Sequence, residues 1–381
     1  MQDKTESFVT FYSKNNISPV SQDISDLEKH FQRRESLFRS LGILPNFVRG
    51  VNVIEFGPGS GHNSTYMASL KPQKYYLVEG NPLGIKQTQE LLSGFGFRDF
   101  HIFKSLFLDY SITDKFDIIW AEGCIPHQNN PITILKHLAS FSRKGGLFVC
   151  TTSNAISYLS ETIRRLILNV YFPSGISSLD LDQALENLKP LFASHLSNLK
   201  GMSRPIDDWI VDNILQPLQG RKLLSIPDVI ATLNDEYDLY GSSPRFITDW
   251  RWYKEIIGEE RKHNQNALTC YYKSNLNLID YRYVFAPQSV EFGKELEAVC
   301  ARSWELMSQI QHGDASKWQS MFDLMDEISS VVMTFAPDTA KAIVEASQWL
   351  QDGVPLDREL SHFPQWWGRG QQYLSFVHKA A

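Results

Sequence analysis

Three glycines on alternate positions, Gly57, Gly59 and Gly61, follow a short apolar run in VNVIEFGPGSGHNS. A strand, a glycine turn and a helix start bring backbone N–H groups and a helix N-terminus close to a polar ligand. A phosphate-binding loop needs Lys and then Ser or Thr after its last glycine. Here His62 and Asn63 follow Gly61, which excludes a nucleoside triphosphate. The dinucleotide fingerprint GxGxxG needs its third glycine at position 62, where His62 stands, so that reading is weakened without being removed. Glu79 ends the apolar stretch YYLVEG, 18 residues past Gly61. A carboxylate there can accept both hydroxyls of a ribose, the bland alternative being a solvated acid at a strand end. Further on, FDIIWAEGCIPH carries Glu122 and His127 just beyond an apolar run, at the edge where open α/β sheets hold ligands. His127 can act as a general base near neutral pH or shape a pocket through a hydrogen bond. Glu122 can bind an amino group, orient His127 or serve structure alone.

The pattern Glu55-Phe-Gly57-Pro-Gly59-Ser-Gly61 resembles motif I of the class I S-adenosylmethionine-dependent methyltransferases. The resemblance implies that Gly57, Gly59 and Gly61 line the methionine and adenosyl portions of S-adenosyl-L-methionine. Glu55 would order the loop, Glu79 with Asn81 would face the ribose, and Ser105 and Leu106 would meet the adenine. FDIIWAEGCIPHQNNPITILKHLASFSRKGGLFVC is similar to the family's fourth strand, loop, helix and fifth strand. Many small-molecule members carry two adjacent histidines in that loop, as GxLHH. The matching segment here is Gly123-Cys124-Ile125-Pro126-His127, so Pro126 replaces one of them. That departure touches the catalytic use of the loop and leaves the cofactor site intact. Asp208-Trp209-Ile210-Val211-Asp212, with Pro217 after it, resembles a D-W-x-x-D segment of a bacterial methyltransferase group. One reading is a polar lid over the acceptor with Trp209 stacking on it. The other is an amphipathic helix packed on the sheet edge. The resemblance covers residues 51–152 well, 153–250 loosely and the remainder hardly at all.

The elements that must position these residues follow from apolar patterning. Residues 51–152 alternate short apolar runs with helical stretches, which predicts βαβ units and a parallel sheet. The expected fold is a doubly wound, mostly parallel, seven-stranded Rossmann-like methyltransferase sheet. An N-terminal helical cover is expected over 1–50, with Gly42 stopping its helix, and a cofactor-binding core over 51–152. A helical insertion follows over 153–235, late strands over 236–284 drawn from DLYGSSPRF and NALTCYYKSNLNLIDY, and a helical extension over 285–381. In that extension Leu296, Val299, Trp304, Met307 and Ile310 fall on one helix face. DWRWYKE and PQWWGRGQQYLSF gather aromatics that can form a ring-binding platform, core or a subunit contact.

Bulk properties exclude more than they assign. Over 381 residues the net charge is -6, against a general nucleic-acid binder. RRLIL at 164–168 is the nearest basic patch, on one helix face. No apolar stretch reaches the length of about 18 residues that spans a bilayer, and the start lacks a charged-then-apolar signal pattern. Cys124, Cys150, Cys270 and Cys300 form no CxxC pair, so no metal is expected. The expected protein is a cytoplasmic enzyme that methylates an O or N atom of a small molecule. It would use no nucleic-acid or membrane partner, and its helical regions offer a homodimer contact. Its rivals are a protein methyltransferase, a non-catalytic cofactor-binding subunit acting through its helices, and a dehydrogenase.

Overall fold

A computed structural model describes residues 10–12, 22–126, 128–173, 181–202, 204–216 and 222–380. The chain folds as two compact units. One comprises Glu6–Thr152, Leu224–Tyr271 and Gln371–Ala381, the other Ser153–Leu223 and Tyr272–Gly370.

The first unit is built on a seven-stranded sheet: β1 (Asn52–Phe56), β2 (Lys74–Glu79), β3 (His101–Lys104), β4 (Phe116–Ala121), β5 (Ser142–Thr152), β6 (Tyr237–Ser243) and β7 (Gln372–His378). Their order is β3-β2-β1-β4-β5-β7-β6. The first five pair in parallel, and β7 lies antiparallel between β5 and β6. All six residues of β4, five of them apolar and the other Asp117, are buried, as expected of a strand covered on both faces. The order reverses between β1 and β4, which opens a crevice beyond their carboxyl ends. The loops carrying Gly57–Gly61 and Glu122 both leave the sheet there. The helix Leu27–Ser40 starts on the Asp26 side chain, which accepts from Lys29 N–H, and ends two residues before Gly42, which takes φ +73. Phe38 of this helix stacks on Trp120 of β4.

Three expectations are corrected. The stretch NALTCYYKSNLNLIDY is not a strand: its first part lies in the helix His263–Ser274, where Asn264, Ala267 and Tyr271 recur at helical spacing on a buried face. The Asn264 amide bonds Leu239 N–H and the Tyr237 carbonyl, so this helix braces β6. The missing strand is β7, inside the region expected to be a helical extension. Leu374 and Phe376 alternate into the core there. The KGG segment at 144–146, read as the join between the helix and the fifth strand, lies within β5. Residues 143–146 bulge opposite Asp117, since Phe116 faces Ser142 while Ile118 faces Leu147.

The second unit is helical. Its main helices are Leu159–Tyr171, Leu181–Ser197, Val290–Gln311, Trp318–Val332 and Pro337–Gln351. Leu296, Val299, Trp304, Met307 and Ile310 are all buried, as their spacing requires. The basic pair of RRLIL forms no surface patch: Arg164 and Arg165 are buried. Arg164 donates to the carbonyls of Ser160, Phe363 and Trp366, with Trp367 stacked 3.6 Å from its guanidinium carbon. Arg165 donates to the carbonyls of Asn213 and Gln216. Both charges are thus absorbed by backbone. Among the described residues no helix is long and apolar enough to cross a membrane.

β7 is an interior strand of the sheet, so it supplies backbone partners to two neighbours at once. Deleting residues 371–381 should therefore abolish the cooperative thermal transition of the sheet unit, followed by far-UV circular dichroism and limited proteolysis. Retention of the full-length profile would refute this placement.

Candidate functional site

The turn after β1 is possible only because its glycines are glycines. Gly57, Gly59 and Gly61 take φ of +69, +59 and +80, conformations that side chains rarely adopt. A Cβ on Gly57 would lie 2.6 Å from the Cys124 Cβ, and one on Gly61 would lie 2.9 Å from the Thr88 Cα. Thr88, on the helix Pro82–Gly94, also donates its hydroxyl to the Gly59 carbonyl at 2.9 Å. The turn is therefore clasped on one side by the helix after β2 and on the other by the loop after β4.

Two carboxylates meet this turn in different ways. Glu79, at the end of β2 and buried, accepts from Gly59 N–H at 3.0 Å and from Asn81 N–H at 2.8 Å. Burial raises its carboxyl above the usual range, opposed by the amides of Asn81, Gly59 and Gly80. Asn81 caps the next helix, its side-chain oxygen accepting from Leu83 and Gly84 N–H. Glu55 sits deeper. It accepts from the Tyr75 and Ser64 hydroxyls, and burial pushes its carboxyl up to about 7. It thus ties β1 and β2 to the helix after the turn. Ser105 and Leu106 lie past β3, where Ser105 N–H bonds the Glu79 carbonyl and Leu106 is half exposed.

Glu122 stands at the centre of a network of donors. Arg34 grips both its oxygens, at 2.8 and 2.7 Å, and Asn63, Trp120 and Tyr373 each donate to it. Five donors fill a carboxylate that offers about four lone-pair sites. Burial alone would raise this carboxyl, but the Arg34 charge and the hydrogen bonds outweigh burial and hold it below its ordinary value. Of the three uses open to Glu122, this geometry supports a structural one, with no capacity left for a ligand amino group or a proton. His127 lies outside the described residues. Cys124, whose Sγ donates to the Phe56 carbonyl at 3.2 Å, has its thiol pushed well up by burial, which suits packing rather than nucleophilic attack.

The lid candidates belong to the helical unit. Trp209 is buried, with its ring against Phe192 and Trp367. Asp212 pairs with Arg204, while Asp208 precedes Trp209 on the short helix Ile206–Ile210. Arg34, Thr88, Asn63 and Tyr373 escaped the sequence reading. The one local signal was a charged residue on the apolar side of the helix at 27–40.

Residues 28–188 match the family model of a methyltransferase domain. With the glycine turn, the acid at the end of β2 and the sheet order, this stretch resembles a methyltransferase domain. No curated protein matches the chain. Among solved structures it is similar to the N-methyltransferase NodS from Bradyrhizobium japonicum WM9, at 16% identity over 38% of this chain and 74% of that one, TM-score 0.32. It is also similar to coclaurine N-methyltransferase, at 11% identity over 94% and 74%, TM-score 0.38. The chain spans 45% of the length of a Thermoplasma acidophilum protein put forward as a methyltransferase, matched over 28% of this chain at 22% identity and TM-score 0.25.

Arg34→Met leaves the Glu122 charge buried without its partner and should cost on the order of 3–5 kcal/mol in chemical denaturation of the sheet unit. The depressed Glu122 carboxyl contributes stability above the ordinary carboxylate range that is lost as pH falls through its folded value. The acid limb of the stability profile should accordingly flatten in Glu122→Gln. An unchanged limb would contradict the assignment.

Proposed function

We propose that this chain transfers a methyl group from S-adenosyl-L-methionine to an oxygen or nitrogen atom of a small molecule. The observation that carries the reading is the Glu79 carboxylate, buried beside a turn of three left-handed glycines and hydrogen-bonded to its middle amide. The cradle fits the cofactor: a Cβ at Gly57 or Gly61 would collide with its walls, and Glu79 keeps acceptor capacity for ribose hydroxyls beyond the amides it holds. When bound, the cofactor supplies a methyl carbon already activated by a sulfonium.

What remains for the chain is to hold, align and deprotonate. Gly57, Gly59 and Gly61 let backbone approach the ligand without side chains between. Asn81 fixes the helix start beside Glu79, and Ser105 with Leu106 form the adenine edge. Glu122 positions Arg34, Asn63 and Tyr373 around the mouth of the turn and takes no proton itself. His127 removes the acceptor's proton. All four cysteines are free thiols, which suits a reducing compartment, and a cytoplasmic site of action is part of this reading.

Two measurements test it. Glu79→Ala should weaken S-adenosylhomocysteine binding by about 1.5–3 kcal/mol in calorimetry, the range for a hydrogen bond to a charged group, and Gly59→Val should abolish binding. Equal affinity in both variants would remove the site. His127→Ala should lower turnover of a methyl acceptor at least tenfold with cofactor affinity unchanged, and wild-type turnover would discard the base.

A further inference from the structure

Three acids hold the segment that runs from the glycine turn into the next helix. Glu79 accepts from Gly59 N–H, Glu122 from the Asn63 amide and Glu55 from the Ser64 hydroxyl, the last at 2.9 Å. Their partners differ in what they allow. Backbone N–H groups and a guanidinium can only donate, so Glu79 at its amides and Glu122 in the fork of Arg34 are held as acceptors. A hydroxyl donates to a carboxylate and turns to accept from a carboxylic acid. Glu55 is 4% exposed, and among the described residues its hydrogen-bond partners are two hydroxyls, Ser64 on one oxygen and Tyr75 on the other. Either protonation state of Glu55 therefore fits with no heavy atom displaced.

The charges around Glu55 lean both ways. Arg34, on the helix Leu27–Ser40, favours its carboxylate, and Glu122, beyond β4, opposes it. Burial keeps the Tyr75 hydroxyl on β2 and the Cys124 thiol protonated, so neither adds a charge. Burial of Glu55 itself outweighs its two hydroxyl donors and brings the carboxyl to about 7, so both forms are populated near neutral pH. The methyl-transfer reading gives that balance a use. S-adenosyl-L-methionine carries a sulfonium, S-adenosylhomocysteine a neutral thioether, and a nearby positive charge favours a carboxylate. We propose that Glu55 is a proton switch between methyl donor and product, ionised while the turn holds the sulfonium and taking a proton from solvent once the thioether is left. The turn then grips the donor more tightly than the product, which favours product release. The proposal rests on the methyl-transfer reading and uses residues of the sheet unit alone.

Calorimetry on the full-length chain tests it, with S-adenosyl-L-methionine and S-adenosylhomocysteine titrated separately in buffers of different ionisation enthalpy. Near neutral pH the donor should release more protons on binding than the product does. The ratio of their affinities should grow at least about threefold in the donor's favour from about pH 6 to about pH 8, as Glu55 ionises. Glu55→Gln, which copies the neutral acid, should make that ratio independent of pH and remove the difference in proton release. Tyr75→Phe takes one donor from the carboxylate and should move the rise of the ratio to higher pH. Equal proton release with both probes, a flat ratio in the wild-type chain, or the wild-type pattern retained in either variant would overturn the proposal and leave the methyl-transfer reading standing. Binding of neither probe would overturn both.

Discussion

Burying a carboxylate is costly unless its charge and lone pairs are met, and at Glu122 five donors from separated parts of the chain meet them. Arg34 comes from the N-terminal helix, Asn63 from the end of the glycine turn, Trp120 from β4 and Tyr373 from β7. Removing any one leaves the others with a partly satisfied buried charge. The interaction therefore fixes where the covering helix crosses the sheet, how the turn leaves β1 and where the last strand enters. Trp120 serves twice, donating to Glu122 while Phe38 of the covering helix stacks on its ring. Polar and apolar contacts thus specify the same docking of helix on strand.

The glycine turn inherits its shape from that frame. Its middle amide is aimed at Glu79, its middle carbonyl receives Thr88, and its flanks are too close to Cys124 and Thr88 for any Cβ. Glu55 and Glu79, both acids at ends of neighbouring strands, divide the work by depth. Glu55 accepts only hydroxyl donors from within the core, and burial dominates its ionisation. Glu79 is also raised by burial, but it accepts backbone amides at the turn itself, which oppose that rise.

What could be read beforehand was what local spacing encodes. The glycines, the acid 18 residues on, β1 to β5 as short apolar runs and the buried face of the helix at 290–311 all carry their signal within a window of one element. β7 did not, because it sits among aromatics and glycines and gains its identity only by pairing β5 and β6 from far away in sequence. The Arg34–Glu122 pair spans 88 residues and Tyr373–Glu122 spans 251, so no motif could join them. Glu122 stood out as a candidate by its place at a strand end, while the partners that give it a structural role were not legible.

The same limit explains the arginines of RRLIL. On a helix they read as a basic stripe, yet the fold turns Arg164 into the core of the helical unit and lets burial bring its guanidinium down to about 9. What offsets its desolvation is a set of carbonyls at the turn 363–366 and two aromatic faces, Phe363 and Trp367. A guanidinium suits this task because its planar fork can bond several carbonyls while its faces stack on rings.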